Sequence, residues 1–519
     1  MMISKVTRRF ILSAALVIAC CSVGLAQDAG QVLRVSVAYG TNKNMPSVMS
    51  KLTPEARAEV DRLGEMARVA NGEGKYGDAL KHLFHAIALM RGGEWTPARA
   101  LSSAVTVKLD RAMLDPGDAV AIRIGQIFAL DDKLSAKVAA SVSLHKMRGD
   151  ETVKDLKVLD SIDPDFMAHP LSAEVVVPDV EAGNYRLAVR IQIPGGEPVV
   201  KYTTVHIERG LAADFAAAKT RAAKLQEALK AKHRDALAAA VPSAEYRISL
   251  FELARANEIN FDRIDFRGTL KESNSMLDEL TAGNDPFGAR RGEFKKAYLS
   301  KVDNTLQPYQ MFVPAAYVKS KPFPLVIALH GMGGDENSYF QAYAQGAFKV
   351  EAEKHGYIVA CPKGRKPASM YAGDAEKDVM DVIAEVRRDY NIDPDRIYLT
   401  GHSMGGYGTW SVAMNHPDVF AALAPVSGGA NNPAAMSKIA HIPQLVVHGD
   451  NDPTVPVERS RSMVAIGKKL GAEIKYIEVP GGDHGSVVAP NFPAVFEWFD
   501  THKRKSAAAA AAAAGSKNK

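Results

Sequence analysis

Two hydrophobic periods alternate along the chain and divide it. Between residues 27 and 100, Leu80, Leu83, Phe84, Ile87 and Met90 recur at the spacing that lays one apolar stripe along a helix. From about residue 101 the period falls to two. Val105, Val107 and Leu109 alternate with polar positions, as do Val120, Ile122 and Ile124, and then Val138, Ala140, Val142 and Leu144. Tyr185, Leu187, Val189, Ile191 and Ile193 form the longest such run, and Pro194-Gly195-Gly196 predicts a turn into a partner strand ending at Ile207.

Strands of this number and length over residues 101–209 predict an antiparallel β-sandwich, immunoglobulin-like in size. Leu211, Phe215, Ala218, Ala222, Leu225 and Leu229 then step by three and four, predicting an Ala-rich helix with a narrow apolar seam. Residues 210–295 read as a helical spacer followed, from about 260, by a loop-rich crossing marked by Asn284-Asp285-Pro286 and Gly288. Over residues 296–502 compact apolar runs at 325–329, 396–400, 421–424 and 445–447 alternate with helical stretches, such as the one from Asp378 to Tyr390. Runs of that kind are strands buried on both faces, so this stretch predicts an α/β domain with a mostly parallel sheet and helices on both faces.

Composition adds a size limit and removes one class of partner. With 519 residues, 47% hydrophobic and 24% charged, the chain is globular and long enough for several cores. The net charge of +5 sits at the ends: Lys5, Arg8 and Arg9 in the first 26 residues, and five basic residues in the low-complexity Ala/Lys tail 503–519. Setting those eight aside leaves 56 basic against 59 acidic residues, so the body lacks the basic excess of a nucleic-acid binder. Residues 1–26 read as a signal peptide, with the basic Lys5–Arg9, the apolar Phe10–Ala19 and the small-residue Gly24-Leu25-Ala26. The expectation is export to the periplasm or beyond. Thr7-Arg8-Arg9-Phe10 is similar to a twin-arginine signal, and Val17-Ile18-Ala19-Cys20 resembles a lipobox in which Cys20 would carry a lipid anchor. Cys361 ends an apolar run and reads as a buried strand residue. His82 and His85 share a helix face without a third ligand nearby, so no metal site and no cofactor is expected.

The candidate chemistry lies in the last domain. Gly401-His402-Ser403-Met404-Gly405-Gly406 stands between a buried strand and a helix, where a tight turn would hold the Ser403 hydroxyl at the strand's carboxyl end. A serine hydroxyl is a poor nucleophile alone and needs a base and an orienting acid. His484, in Gly481-Gly482-Asp483-His484-Gly485, is the candidate base; His502, the competitor, lies in the final charged segment. The loop His448-Gly449-Asp450-Asn451-Asp452-Pro453-Thr454-Val455-Pro456 offers two carboxylates for the acid, Asp450 and Asp452. His330-Gly331-Met332-Gly333-Gly334 follows the 325–329 strand.

These motifs, in this order, resemble the α/β-hydrolase superfamily, and within it the secreted esterase group described as predicted peptidases or as relatives of polyhydroxybutyrate depolymerases and feruloyl esterases, some of which carry an immunoglobulin-like domain ahead of the hydrolase. The resemblance covers roughly 40% of the chain. It implies a triad of Ser403, His484 and Asp452, the last matching the acid of the His-Gly-x-x-Asp-x-x-Val-Pro loop. It also implies an oxyanion hole built from the backbone N–H groups of Met332 and Met404, with His330 holding the loop. The implied activity is hydrolysis of carboxylic esters, small or polymeric and carbohydrate-linked ones among them. Two other functions compete: a serine peptidase of the prolyl-oligopeptidase type, and a surface- or carbohydrate-binding protein with an inactive hydrolase domain.

Overall fold

A computed structural model describes residues 29–504, apart from residues 132, 133, 135, 150, 194–196 and 367. The expected signal segment with Cys20, the expected turn at 194–196 and the residues beyond Arg504 lie outside the described residues. No described helix is long and apolar enough to cross a membrane. The chain forms two compact units, the first reaching Ala212 and including Glu252–Ile264, the second comprising Ala213–Phe251 and everything from Asp265 on.

The first unit begins with helices. Thr53 and Thr96 cap two of them, accepting the N–H groups of Ala56 and Arg99 ahead of Pro54 and Pro97, residues suited to a first helical turn. The helix Tyr76–Met90 buries Leu80, Leu83, Ile87 and Met90. Eight strands follow: β1 (Val105–Leu109), β2 (Met113–Leu114), β3 (Ala119–Gln126), β4 (Val138–Lys146), β5 (Thr152–Ile162), β6 (Leu171–Val176), β7 (Gly183–Gln192) and β8 (Val199–Ile207). They make a three-stranded sheet, β1-β3-β6, and a five-stranded one, β2-β8-β7-β4-β5. The alternating residues of both sheets face one core: Val120, Ile122 and Ile124 from one side meet Val142, Leu144, Val189 and Ile191 from the other. The sandwich starts at Val105; residues 101–104, expected within it, finish the helix Pro97–Ala104.

The second unit is built on a mixed eight-stranded sheet. Its strands are β9 (Gly292–Leu299), β10 (Leu306–Val313), β11 (Phe323–Leu329), β12 (Ile358–Pro362), β13 (Ile392–His402), β14 (Ala422–Val426), β15 (Gln444–Gly449) and β16 (Ile474–Val479). The spatial order is β16-β15-β14-β13-β11-β12-β10-β9. From β12 to β16 all neighbours run parallel, while β10 lies antiparallel to both β9 and β12. Parallel strands need crossovers, and helices supply them. The helix Asp374–Asp389 has Asp374 and Glu376 in its first turn, Arg387 and Arg388 in its last, and a buried stripe of Val379, Val382, Ile383 and Val386. Its charges oppose the helix dipole at both ends. Cys361 is buried in β12, and burial pushes its thiol pKa up.

Three further expectations need correction. The crossing at 260–295 is not loop-rich: Phe266–Thr281 is a helix, capped by Asp265 accepting the Gly268 N–H at 2.9 Å, with Phe266, Leu270, Leu277 and Leu280 buried. The α/β domain begins before residue 296, since β9 starts at Gly292. Nor are residues 213–251 a spacer, because they belong to this compact unit. Phe215 stacks on Phe251 at 4.6 Å, and both meet Phe266 edge-on.

Candidate active site

Parallel strands end at one rim, so the loops leaving β11, β13, β15 and β16 converge there. β13 carries Ser403 at its tip. The serine has φ 58° and ψ −118°, a strained conformation, and its N–H is held by the Val426 carbonyl at 2.9 Å. The turn is tight enough to require glycine on both sides. A Cβ at Gly401 would strike the Gly405 carbonyl, and one at Gly405 would strike that of Leu329. Ser403 is therefore fixed between β13 and the helix Met404–Asn415, with Oγ 2.8 Å from Nε2 of His484.

His484 stands in the loop after β16. Its Nδ1 donates to Asp452 Oδ2 at 2.7 Å. Asp452, in the loop after β15, has a fully buried side chain. Oδ1 accepts the N–H groups of Thr454 (2.8 Å) and Val455 (2.9 Å), while Oδ2 also faces His448 Nε2 at 3.2 Å. Burial opposes the charge, but the bonds from His448 and His484 outweigh it and hold the Asp452 carboxyl well below the usual carboxylate range. Asp450 is exposed and accepts the Gly481 N–H at 2.6 Å, which ties two loops and does not touch His484. His502 lies elsewhere, bonded to the Trp498 carbonyl and Glu473.

The loop after β11 lies against the serine: a Cβ on Gly331 would touch Ser403 Cβ at 3.4 Å. His330, 1% exposed, has Nε2 2.6 Å from the Lys363 carbonyl and Nδ1 2.8 Å from the Gly331 carbonyl, and its neutral ring donates to one of the two. Gly334 N–H closes a turn on Gly331 O at 3.0 Å, and Gly333 takes φ 79°. Met332 sits in this turn and Met404 opens the helix, where an N–H has no intrahelical acceptor.

Three neighbours escaped sequence reasoning. His402, directly before the serine, places Nε2 2.8 Å from the His484 carbonyl oxygen and Nδ1 2.9 Å from Tyr343 Oη. His448 is wholly buried beside Asp452, with Nδ1 2.7 Å from Ser460 Oγ. The histidines were visible inside their motifs, but nothing in the sequence pointed to Tyr343. His85 stacks on Trp95 at 4.8 Å, and among the described residues no group of three His, Cys, Asp or Glu could hold a metal ion.

A family model described as the prolyl oligopeptidase family matches residues 369–441, which include the serine turn. A bifunctional acetylxylan esterase/xylanase, XynS20E, of Neocallimastix patriciarum is 36% identical over 132 residues, 25% of this chain and 19% of that protein. The protein named Probable feruloyl esterase C in Aspergillus terreus is 27% identical over 193 residues, 35% of this chain and 65% of its own length. Among solved structures, a thermostable esterase aligns with 18% identity and a TM-score of 0.38, covering 77% of this chain and 100% of that one. The chain thus spans less than two thirds of the length of either relative.

Proposed function

We propose that this α/β-hydrolase is an exported serine esterase that cleaves carboxylic esters through an acyl-enzyme on Ser403. The observation that carries the reading is the unbroken line Ser403 Oγ–His484 Nε2 (2.8 Å) and His484 Nδ1–Asp452 Oδ2 (2.7 Å). In this reading His484 takes the serine proton as Oγ attacks the ester carbonyl. The anionic Asp452 fixes the tautomer that leaves Nε2 free to accept and offsets the charge forming on the ring. The oxygen of the tetrahedral intermediate would receive the N–H groups of Met332 and Met404, worth about 10²–10³-fold in rate per donor in comparable sites. As the C–O bond breaks, His484 returns the proton to the leaving alkoxide. Water, deprotonated by the same imidazole, then releases the acid and restores Ser403. The named activities of the esterase relatives favour an ester substrate, polymer- or carbohydrate-linked ones included; export rests on residues 1–26.

A second reading, a serine peptidase, is favoured by the prolyl oligopeptidase match over residues 369–441. One experiment separates the possibilities. A fluorophosphonate probe should label the full chain at Ser403 and leave Ser403→Ala unlabelled; no labelling would sink both enzyme readings and favour a binding protein. A panel of p-nitrophenyl, feruloyl and acetyl-sugar esters beside dipeptide anilides then decides between them, and faster anilide cleavage would transfer the assignment to a peptidase.

A further inference from the structure

The base of this site sits on a loop, and its imidazole meets Ser403 and Asp452 only if its backbone is held. On the N-terminal side the loop is shaped by Asp483, whose Oδ1 accepts the Gly485 and Ser486 N–H groups at 2.9 and 2.7 Å. The His484 carbonyl is held from another element. His402 Nε2 reaches it at 2.8 Å, whereas Ser427 Oγ lies at 3.5 Å. A carbonyl oxygen can only accept, so Nε2 must carry the proton and Nδ1 the lone pair. The Tyr343 hydroxyl, 2.9 Å from Nδ1, is a donor suited to that lone pair. The two bonds have one consistent direction: Tyr343 O–H to Nδ1, then Nε2–H to the His484 carbonyl.

The surroundings keep that arrangement neutral. His402 is 7% exposed, and burial, aided by the adjacent His484, pushes its pKa down to about 3. Burial likewise pushes Tyr343 up to about 12, so its proton stays on oxygen. The His402 ring lies against that of His484, centroids 4.7 Å apart, where a second cation would oppose the imidazolium formed during catalysis. The Tyr343 ring closes the far side edge-on at 5.5 Å.

We infer that His402, its tautomer set by Tyr343, is a positioning residue that locks the His484 backbone to the serine turn. Its place in the chain makes the lock direct, because His402 is bonded to Ser403: one residue presents the nucleophile and the next holds the base. The inference rests on the serine-hydrolase reading above. A misplacement of about 1 Å at a reacting group can cost about 10²-fold, which sets the scale of the effect.

The test uses the full chain and three variants, His402→Gln, His402→Phe and Tyr343→Phe. It measures the fluorophosphonate labelling rate at Ser403, kcat and KM on a short p-nitrophenyl ester, and thermal unfolding. His402→Phe should lose about 30- to 100-fold in labelling rate and kcat with KM within about threefold. The Gln amide can donate to the same carbonyl, so His402→Gln should recover to within about fivefold of wild type. Tyr343→Phe frees the opposite tautomer, which turns a lone pair on the carbonyl, and should cost about three- to tenfold in kcat alone. Labelling of His402→Phe near the wild-type rate, or equal losses for Gln and Phe, would overturn the lock. Should His402→Phe not fold, the other two variants decide, and Tyr343→Phe at full kcat overturns it. Absence of labelling in the wild-type chain is a different result: it removes the serine-hydrolase reading itself, and the lock with it.

Discussion

Replacing Asp452 by Asn keeps the shape of the side chain and changes what it can accept. Two main-chain donors, Thr454 N–H at 2.8 Å and Val455 N–H at 2.9 Å, converge on Oδ1, and two histidine nitrogens face Oδ2. An asparagine has one oxygen, and the fixed main-chain donors claim it. The NH₂ group then points at His484, whose Nδ1 must become an acceptor. The ring proton moves to Nε2, 2.8 Å from Ser403 Oγ, where it blocks transfer from the serine. The same change in a serine protease triad costs about 10⁴-fold, or about 5–6 kcal/mol in the barrier. Asp452→Asn should therefore lose about three to four decades of kcat/KM on a short p-nitrophenyl ester and label slowly with a fluorophosphonate. Asp450→Asn is the control. It weakens one bond to the Gly481 N–H at an exposed site, so kcat/KM should stay within about threefold. Asp452→Asn within tenfold of wild type, or the opposite ranking of the two, would refute the geometry-based assignment.

Other outcomes follow from the same contacts. Ser403→Ala should remove several orders of magnitude of turnover while leaving the unfolding temperature within a few degrees, and activity within about tenfold of wild type would remove Ser403 as nucleophile. Gly405→Ala drives a methyl into the Leu329 carbonyl and should destabilise by about 2–4 kcal/mol in denaturant unfolding; an unchanged midpoint would contradict the close approach. His402 has a folded pKa of about 3, below its ordinary value, so the unfolded chain takes up its proton first on acidification. Stability should fall as pH drops from about 6.5 towards 3, by at most about 1.4 kcal/mol per pH unit from this residue, and His402→Gln should flatten that slope; parallel slopes would show that His402 contributes none of it. A fragment starting at residue 290 should be less soluble, or unfold at least about 5 °C lower, than the full chain; equal behaviour would show the preceding helices to be dispensable.

What the sequence disclosed and what it hid divide along one physical line. Strand and helix periods report which residues turn inward within a segment, so β4, β7 and the helix Asp374–Asp389 were legible from alternation and apolar stripe alone. Motif order placed the serine turn and its candidate partners in succession along the chain, because the parallel sheet delivers successive loops to one rim. Pairings between side chains of distant segments left no period. Tyr343 meets His402 across 59 positions and belongs to no motif. The choice between Asp450 and Asp452 likewise depended on which carboxylate a loop turns inward, and that is set by the Thr454 and Val455 N–H groups rather than by spacing. The strand β5, with Lys154, Asp155, Lys157 and Asp160 along it, shows little alternation because it is a sheet edge, where charges discourage pairing with another chain.

Residues 213–251 belong to the α/β unit, although their apolar seam alone predicts a spacer. β9 is the outer strand of the eight-stranded sheet, and an outer strand leaves N–H and C=O groups without a neighbouring strand. The helix Val241–Arg255 supplies the partners. Ser243 Oγ accepts the Ala297 N–H at 3.0 Å and lies 3.2 Å from the Ala297 carbonyl, while Arg247, one turn on, donates to the Lys295 carbonyl at 3.2 Å. Arg247 also pairs with Glu272 in the following helix at 3.1 Å. Ser243 and Arg247 are buried, at 0% and 7% exposure, so removing their side chains would leave backbone polar groups of β9 without partners. An α/β sheet whose edge is closed by upstream helical residues has its physical boundary ahead of them, near residue 213, and not at its first strand.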